Sequence, residues 1–277
     1  MTVNTETVGI RGYQLHRLVL HPNETPRGGL VFFHGQGDFI DRYPPLLSPF
    51  LEAGYRCILT DLPGHGRSPG KRGHVPGLDF IDELFEESLT HLDGPLVIAG
   101  HSMGGLMALR LFLKNPERFQ AGWFSAPLLQ ILERAHPLLA RFLPLVARIF
   151  PTLTTGTGVT SDQCGDFGDG PRSDAPDVDA LYHSRISLGW GLELHRASSF
   201  VWESMARAPG AIPVLFTQGE DDRVCPPDVL RQLISQSPEA SLDLELIPEA
   251  RHEPFSGTTR DEFLLRLEKW TRKVLPA

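Results

Sequence analysis

The run Pro95-Leu96-Val97-Ile98-Ala99 passes without a break into Gly100-His101-Ser102-Met103-Gly104, and then into Leu106-Met107-Ala108-Leu109. This stretch constrains the fold more tightly than any other. A short apolar run bounded by glycine reads as a buried strand, and the second apolar run suits a helix. The five residues between them must turn the chain from one element to the other. Glycines on both sides of Ser102 relieve the crowding of so sharp a turn and leave the serine at its apex. At average usage a G-x-S-x-G pattern arises by chance in about one chain in ten of this length. The strand before it and the helix after it give the pattern its weight.

The same rhythm recurs along the chain. Residues 30–33 end in His34-Gly35-Gln36-Gly37, and residues 56–62 end in Pro63-Gly64-His65-Gly66. Residues 120–125, 212–218 and 242–247 are further strand candidates, and 41–53, 103–113 and roughly 260–274 suit helices. Short apolar strands that end in turns and alternate with helices predict parallel strands joined by crossover helices, an α/β architecture. The rhythm breaks between about 126 and 210, too long a stretch for a plain connection. It opens with the apolar residues 128–150, interrupted by Pro137 and Pro144, and passes through a piece rich in glycine and aspartate, 152–179. It ends in a helix-like piece, 181–205. The expected organisation is a core of residues 1–125 and 211–277 with residues 126–210 inserted as a helical cap. The aspartates between 162 and 179 lack the spacing of a calcium-binding loop.

Composition narrows the function classes. Hydrophobic residues make up 41% and charged residues 22% of 277, ordinary globular usage. A net charge of -8 argues against nucleic acid as a partner and against electrostatic docking on anionic lipid. Cys57, Cys164 and Cys225 form neither a disulfide framework nor a zinc pattern. The start, MTVNTETVGI, lacks the basic and apolar regions of a secretory signal, and no apolar run is long enough to span a bilayer. These features lead us to expect a soluble, cytoplasmic protein without a transmembrane segment.

A serine hydroxyl is a poor nucleophile unless a base lies within hydrogen-bond reach and an acid orients that base. With an elbow of this kind the chain order is serine, acid, histidine. His183 and His195 fall inside the inserted stretch, whereas His252 follows the last strand, at the sheet edge where ligands bind. The acid is expected at the end of the penultimate strand, where Glu220, Asp221 and Asp222 compete. The usual spacing is a glycine, two residues, the aspartate and then a proline. That spacing selects Asp222, between Gly219 and Pro226, and leaves the other two as solvated loop charges. A tetrahedral oxyanion needs preorganised N–H donors. Met103, directly after the serine, supplies one, and in the loop after residue 33 the best candidate for the other is the Gln36 N–H.

At this point the chain resembles the monoacylglycerol lipase and lysophospholipase branch of the α/β-hydrolases, sometimes grouped with serine aminopeptidases. The matching segments are His34 to Tyr43, Asp61 to Ser68, Gly70 to His74, Gly100 to Gly105, Ser125-Ala126-Pro127, Gln218 to Cys225 and Ala250-Arg251-His252, in family order over nearly the whole chain. The resemblance implies a Ser102-Asp222-His252 triad, oxyanion donors at Gln36 and Met103, a cap that shapes an acyl pocket, and no metal or organic cofactor. Phe39-Ile40 depart from the family, where His-Ser is frequent, and the acidic, glycine-rich piece of the cap departs from it too.

The expected activity is hydrolysis of a small-molecule ester, with a single-chain lipid such as a monoacylglycerol or lysophospholipid as substrate. Leu138, Leu139, Phe142, Leu145, Val146 and Phe150 motivate the acyl chain, and transient contact with a lipid surface would run through the cap. A peptidase or amidase, or an esterase of small esters, on the same scaffold is the first rival, and a catalytically silent binding module the second. An epoxide or haloalkane hydrolase is excluded, since its elbow carries an aspartate nucleophile.

Overall fold

A computed structural model describes residues 2–131, 137–165, 178–208, 210–238 and 240–275. In chain order the elements are β1 (Thr2–Ile10), β2 (Tyr13–His21), β3 (Gly28–Phe33), α1 (Ser48–Glu52), β4 (Tyr55–Thr60), α2 (Leu78–Leu89), β5 (Leu96–His101), α3 (Met103–Lys114) and β6 (Ala121–Ser125). Then come α4 (Pro137–Ile149), β7 (Thr154–Gly156), α5 (Ser161–Cys164), α6 (Val178–Leu181), β8 (Arg185–Ser187) and α7 (Leu188–Met205). The chain closes with β9 (Val214–Gly219), α8 (Pro227–Ile234), β10 (Leu242–Ile247) and α9 (Arg260–Val274).

The main sheet runs in the order β1-β2-β4-β3-β5-β6-β9-β10. Only β1–β2 and β2–β4 pair antiparallel; the other pairs are parallel. This is the expected α/β architecture. Side chains alternate across the central strands, as the two-residue period of a strand requires. Val31, Phe33, Ile98, Phe124 and Phe216 pack on one face with α2, α3, α7 and α8. Leu30, Phe32, Val97, Trp123 and Leu215 pack on the other with α1 and α9.

One segment differs from expectation, and β1, β2, α2 and α8 are not among the expected elements. The helix expected over 41–53 is two short 3-10 turns, Ile40–Arg42 and Pro44–Leu47, followed by α1. Pro44, Pro45 and Pro49 withhold the N–H groups a continuous helix would use. The β1–β2 hairpin has no clear apolar signal, because most of β1 is exposed. The inserted stretch contains a small ladder, β7–β8, besides its helices. Residues 166–177 of its acidic piece and the side chains of Leu138, Leu139 and Phe142 lie outside the described residues.

Candidate active site

Ser102 caps the N-terminus of α3 with φ 55° and ψ −117°, a conformation that glycine adopts easily and serine does not. The surrounding backbone holds it there. Its N–H donates to Ser125 O at 2.8 Å, and its carbonyl accepts from Leu106 N and Leu128 N, both at 3.0 Å. The flanking glycines follow from contact. A Cβ on Gly104 would run into the carbonyl oxygens of Phe33 and His34, and one on Gly100 into that of Gly104.

His252 lies in the loop after β10. Its Nε2 is 2.9 Å from Ser102 Oγ and its Nδ1 is 2.8 Å from Asp222 Oδ2. A carboxylate can only accept, so Nδ1 carries the proton and a neutral ring presents an accepting Nε2 to the hydroxyl. Asp222 follows β9. Its Oδ1 accepts from Val224 N and Cys225 N, both at 2.8 Å, and its Oδ2 accepts from Gln218 Nε2 at 2.7 Å. Glu220 and Asp221 point to solvent. Burial alone would lower the His252 pKa. The Asp222 carboxylate overrides burial and holds it well above the ordinary histidine value. His101, its ring 4.9 Å from that of His252, is pushed well below the ordinary value by burial and by that neighbour, and stays neutral.

The loop after β3 lies against the serine: a Cβ built on Gly35 would sit 3.6 Å from Ser102 Cβ. Among the described residues, no protein group accepts from the backbone N–H of Gln36 or of Met103. His183 and His195 do not reach the serine. His183 bonds the Gly64 carbonyl at 3.0 Å, and burial followed by Arg72 lowers its pKa to about 4. His195 lies on α7.

Several groups around the site were not singled out from the sequence. Arg42 is buried between two carboxylates, donating to Asp38 at 2.8 Å and to Glu253 at 2.5 Å, while Tyr43 also donates to Asp38. The four-residue step from Asp38 to Arg42 was a usable signal; the bond to Glu253 spans the chain and had none. The His252 loop hangs on α5, with His252 N donating to Gln163 O at 3.3 Å and Glu253 N to Cys164 O at 2.6 Å. Asp222, Cys225 and His252 bring donor atoms within 4.8 Å of one another. A metal ion there would have to displace the proton that joins His252 to Asp222.

Residues 24–258 match the family model described as serine aminopeptidase, S33. The chain is 28% identical over 276 residues to the monoacylglycerol lipase of Mycolicibacterium smegmatis, covering 95% of this chain and 94% of that one. It is 26% identical over 278 residues to an abhydrolase domain-containing protein of Dictyostelium discoideum; the match covers 99% of this chain but only 28% of that much longer one. The crystal structure of the Paleococcus ferrophilus monoacylglycerol lipase superposes with a TM-score of 0.80 at 25% identity, over 94% of this chain and 98% of that chain. Among the described residues no helix is long and apolar enough to cross a membrane.

Proposed function

The chain belongs to the serine aminopeptidase S33 family, and from that premise we propose that it is a serine ester hydrolase that cleaves single-chain lipid esters through an acyl-enzyme on Ser102. The observation that carries this reading is the unbroken chain of hydrogen bonds from Ser102 Oγ through His252 to Asp222 at the apex of a strained turn. In the first step His252 Nε2 takes the Ser102 proton while Oγ bonds the ester carbonyl carbon. The negative charge that develops on the carbonyl oxygen is met by the N–H groups of Gln36 and Met103. The tetrahedral species collapses, the carbon–oxygen bond to the alcohol breaks, and His252 hands that alcohol the proton. Water, deprotonated by His252, then releases the acid by the same route in reverse.

The family description names a peptidase, and the Mycolicibacterium smegmatis and Paleococcus ferrophilus proteins reported above are monoacylglycerol lipases. An aminopeptidase needs an unengaged carboxylate for the substrate's ammonium group. Among the described residues, Asp38 and Glu253, buried acids beside the site, are both ion-paired to Arg42. That pairing favours the ester.

The acyl chain is supported by the inserted stretch. Leu145, Ile149, Phe150 and Leu153 are 52–60% exposed on and just after α4. They exceed scattered surface apolar residues and suit a lipid surface. A cleft of about 670 Å³ between α4 and α7 adjoins them, lined by Val75, Leu145, Ala147 and Leu192 and also by His74, Arg148, Glu193 and Arg196; none of Ser102, Asp222 and His252 lines it. In this reading residues 126–210 are the insertion that carries the cap. The protein works in the cytoplasm, where its buried cysteines Cys57, Cys164 and Cys225 stay reduced.

A panel of p-nitrophenyl esters of graded chain length, extended to monoacylglycerols and lysophospholipids and run beside Ser102→Ala, tests the proposal. We expect turnover to rise with chain length and to vanish in the variant. Cleavage of acetate alone, or of an aminoacyl anilide in preference to any acyl ester, would overturn it. Ile149→Ser together with Phe150→Ser should slow hydrolysis of a monoacylglycerol in vesicles while sparing a soluble short-chain ester. Equal effects on both substrates would remove the lipid-surface contact.

A further inference from the structure

The two donors assigned to the oxyanion come from turns after different strands, β3 for Gln36 and β5 for Met103. The strands pair up to Phe33 and Gly100, and Gly104 packs on the Phe33 and His34 carbonyls, but among the described residues no hydrogen bond joins the two turns directly. The inserted stretch adds a hydrogen-bonded link. Trp190, fully buried in the first turn of α7, directs its indole N–H at both residues. Nε1 is 3.0 Å from Gln36 Oε1 and 3.2 Å from Met103 Sδ. The other end of the Gln36 amide is tied as well, Nε2 donating to Arg185 O at 2.7 Å. One residue on, His183 N donates to Gly37 O at 3.0 Å, and a Cβ on Gly37 (φ 75°) would strike the His183 carbonyl. The stretch 183–190 therefore grips the 36–37 turn by backbone and by side chain.

We infer that Trp190 is a positioning residue for the oxyanion-binding N–H groups: its indole N–H ties the side chains of Gln36 and Met103 to one point on α7 and so fixes the spacing of the two backbone donors. The inference rests on the assignment of those donors in the proposed function. Its physical basis is that donors help only when they already sit about 2.7–3.1 Å from where the oxyanion will be. A turn free to move by a few tenths of an ångström loses part of that stabilisation in the transition state and little of it in the ground state. The Trp190 backbone is itself anchored, since its N–H donates to Ser187 Oγ at 3.2 Å and Ser187 Oγ lies 2.8 Å from His74 Nδ1.

The test uses the full chain and four proteins: wild type, Trp190→Phe, Gln36→Leu and the double variant. Trp190→Phe keeps an aromatic ring and removes the N–H. Gln36→Leu keeps the backbone donor and removes the amide that Trp190 holds. Three quantities are read: kcat and KM on a short-chain p-nitrophenyl ester, the inhibition constant of an alkylboronic acid, and the thermal midpoint. The boronic acid bonds Ser102 Oγ and becomes a tetrahedral anion that places an oxygen where the oxyanion forms.

For Trp190→Phe we expect kcat to fall about tenfold, the boronate constant to rise by a similar factor, and KM to stay within about threefold, the size of one lost hydrogen bond expressed in the transition state. Gln36→Leu should behave alike, and the double variant should lose less than the product of the two single losses, because both changes remove the Trp190–Gln36 bond, each with one further contact, to Met103 Sδ or to Arg185 O. Unchanged kcat and boronate affinity in a folded Trp190→Phe would overturn the inference. So would losses that multiply in full in the double variant, or a fall in kcat that tracks a lower midpoint and leaves boronate affinity intact. If Trp190→Phe does not fold, Gln36→Leu reads the same bond from its other end, and normal kcat there overturns the inference. A wild-type enzyme that ignores the boronate, with an active Ser102→Ala, marks instead the failure of the underlying assignment.

Discussion

Ser102 holds its strained backbone because neighbouring strands leave it no alternative, and the strain is separable from the chemistry. Residues in such sparsely populated regions cost on the order of 1–3 kcal/mol each. Ser102→Gly and Ser102→Ala both remove the hydroxyl, but only glycine relaxes at φ 55°. In urea unfolding, Ser102→Gly is expected to be about 1 kcal/mol more stable than Ser102→Ala, the glycine's extra freedom in the unfolded chain offsetting part of the gain. Equal midpoints would mean the turn is not strained. The pH profile addresses the other end of the relay. His252 accepts the serine proton only when neutral, and the Asp222 charge keeps its pKa above the ordinary value despite burial. Activity should therefore fall as pH drops through that raised pKa. Asp222→Asn removes the charge that stabilises the imidazolium, so the acid limb of kcat/KM should move to lower pH, while the rate itself falls by about 10⁴ as the ring loses the partner that sets its tautomer. A limb that stays in place would detach Asp222 from His252. Ser102, Asp222 and His252 were legible in the sequence for one reason: each follows a strand end marked by glycine or a turn. Trp190 was not, because its partners Gln36 and Met103 are brought to it by tertiary packing; Gln218 offered a four-residue step to Asp222 that went unused.

Among the elements, the short helix α5 and the turn around Arg42 share the task of holding the loop that carries His252. Arg251 adds to the grip, donating to Asp162 O at 2.8 Å, and α5 is closed by a capping box between Thr160 and Gln163. Arg42 links the segment after β3 to the segment after β10 through Asp38 and Glu253. Breaking a buried ion pair from one side strands the remaining charge. Arg42→Leu leaves two carboxylates without their cation and is expected to cost about 3–5 kcal/mol of stability, read by chemical denaturation. Less than about 1 kcal/mol would show that water enters and replaces the guanidinium. At this scale the legibility of the fold was uneven. The central strands could be read because they are apolar along their length. The edge hairpin could not, since β1 places only Val8 and Ile10 in the core. The segment expected as one helix over 41–53 was lost to its prolines. By contrast, α2 buries Phe80, Ile81, Leu84, Phe85 and Ser88 at helical spacing, a pattern open to reading in the sequence.

In the whole molecule, the connection from β6 to β9 decides what kind of insertion this is. The two strands are parallel neighbours, Gly122 pairing with Val214 and Ser125 with Thr217. Parallel neighbours cannot be joined by a hairpin; the chain must return across a face of the sheet, and α7 is the helix available to bring it back. Its position supports this. Trp190, Leu194, Ala197, Val201 and Met205 share one buried cluster with Leu106, Met107 and Leu111 of α3, and Ser198 and Trp202 both donate to Leu129 O. We therefore propose that α7 belongs energetically to the core, and that the cap proper ends before it. Burying Trp190, Leu194, Val201 and Met205 contributes about 1.5–3 kcal/mol apiece, a sum comparable with the 5–15 kcal/mol that hold a typical domain together. Two deletions separate the cases. Replacing residues 137–181 with a glycine–serine linker should leave a chain that melts cooperatively in circular dichroism, although it loses activity with α5 gone. Replacing 126–210 in the same way removes the crossover and uncovers α3, and should leave no cooperative transition. If both deletions melt alike, α7 is a lid element laid on a self-sufficient sheet. If only the larger one collapses, the helix that carries Trp190 to the turn after β3 is part of the frame that holds that turn in place.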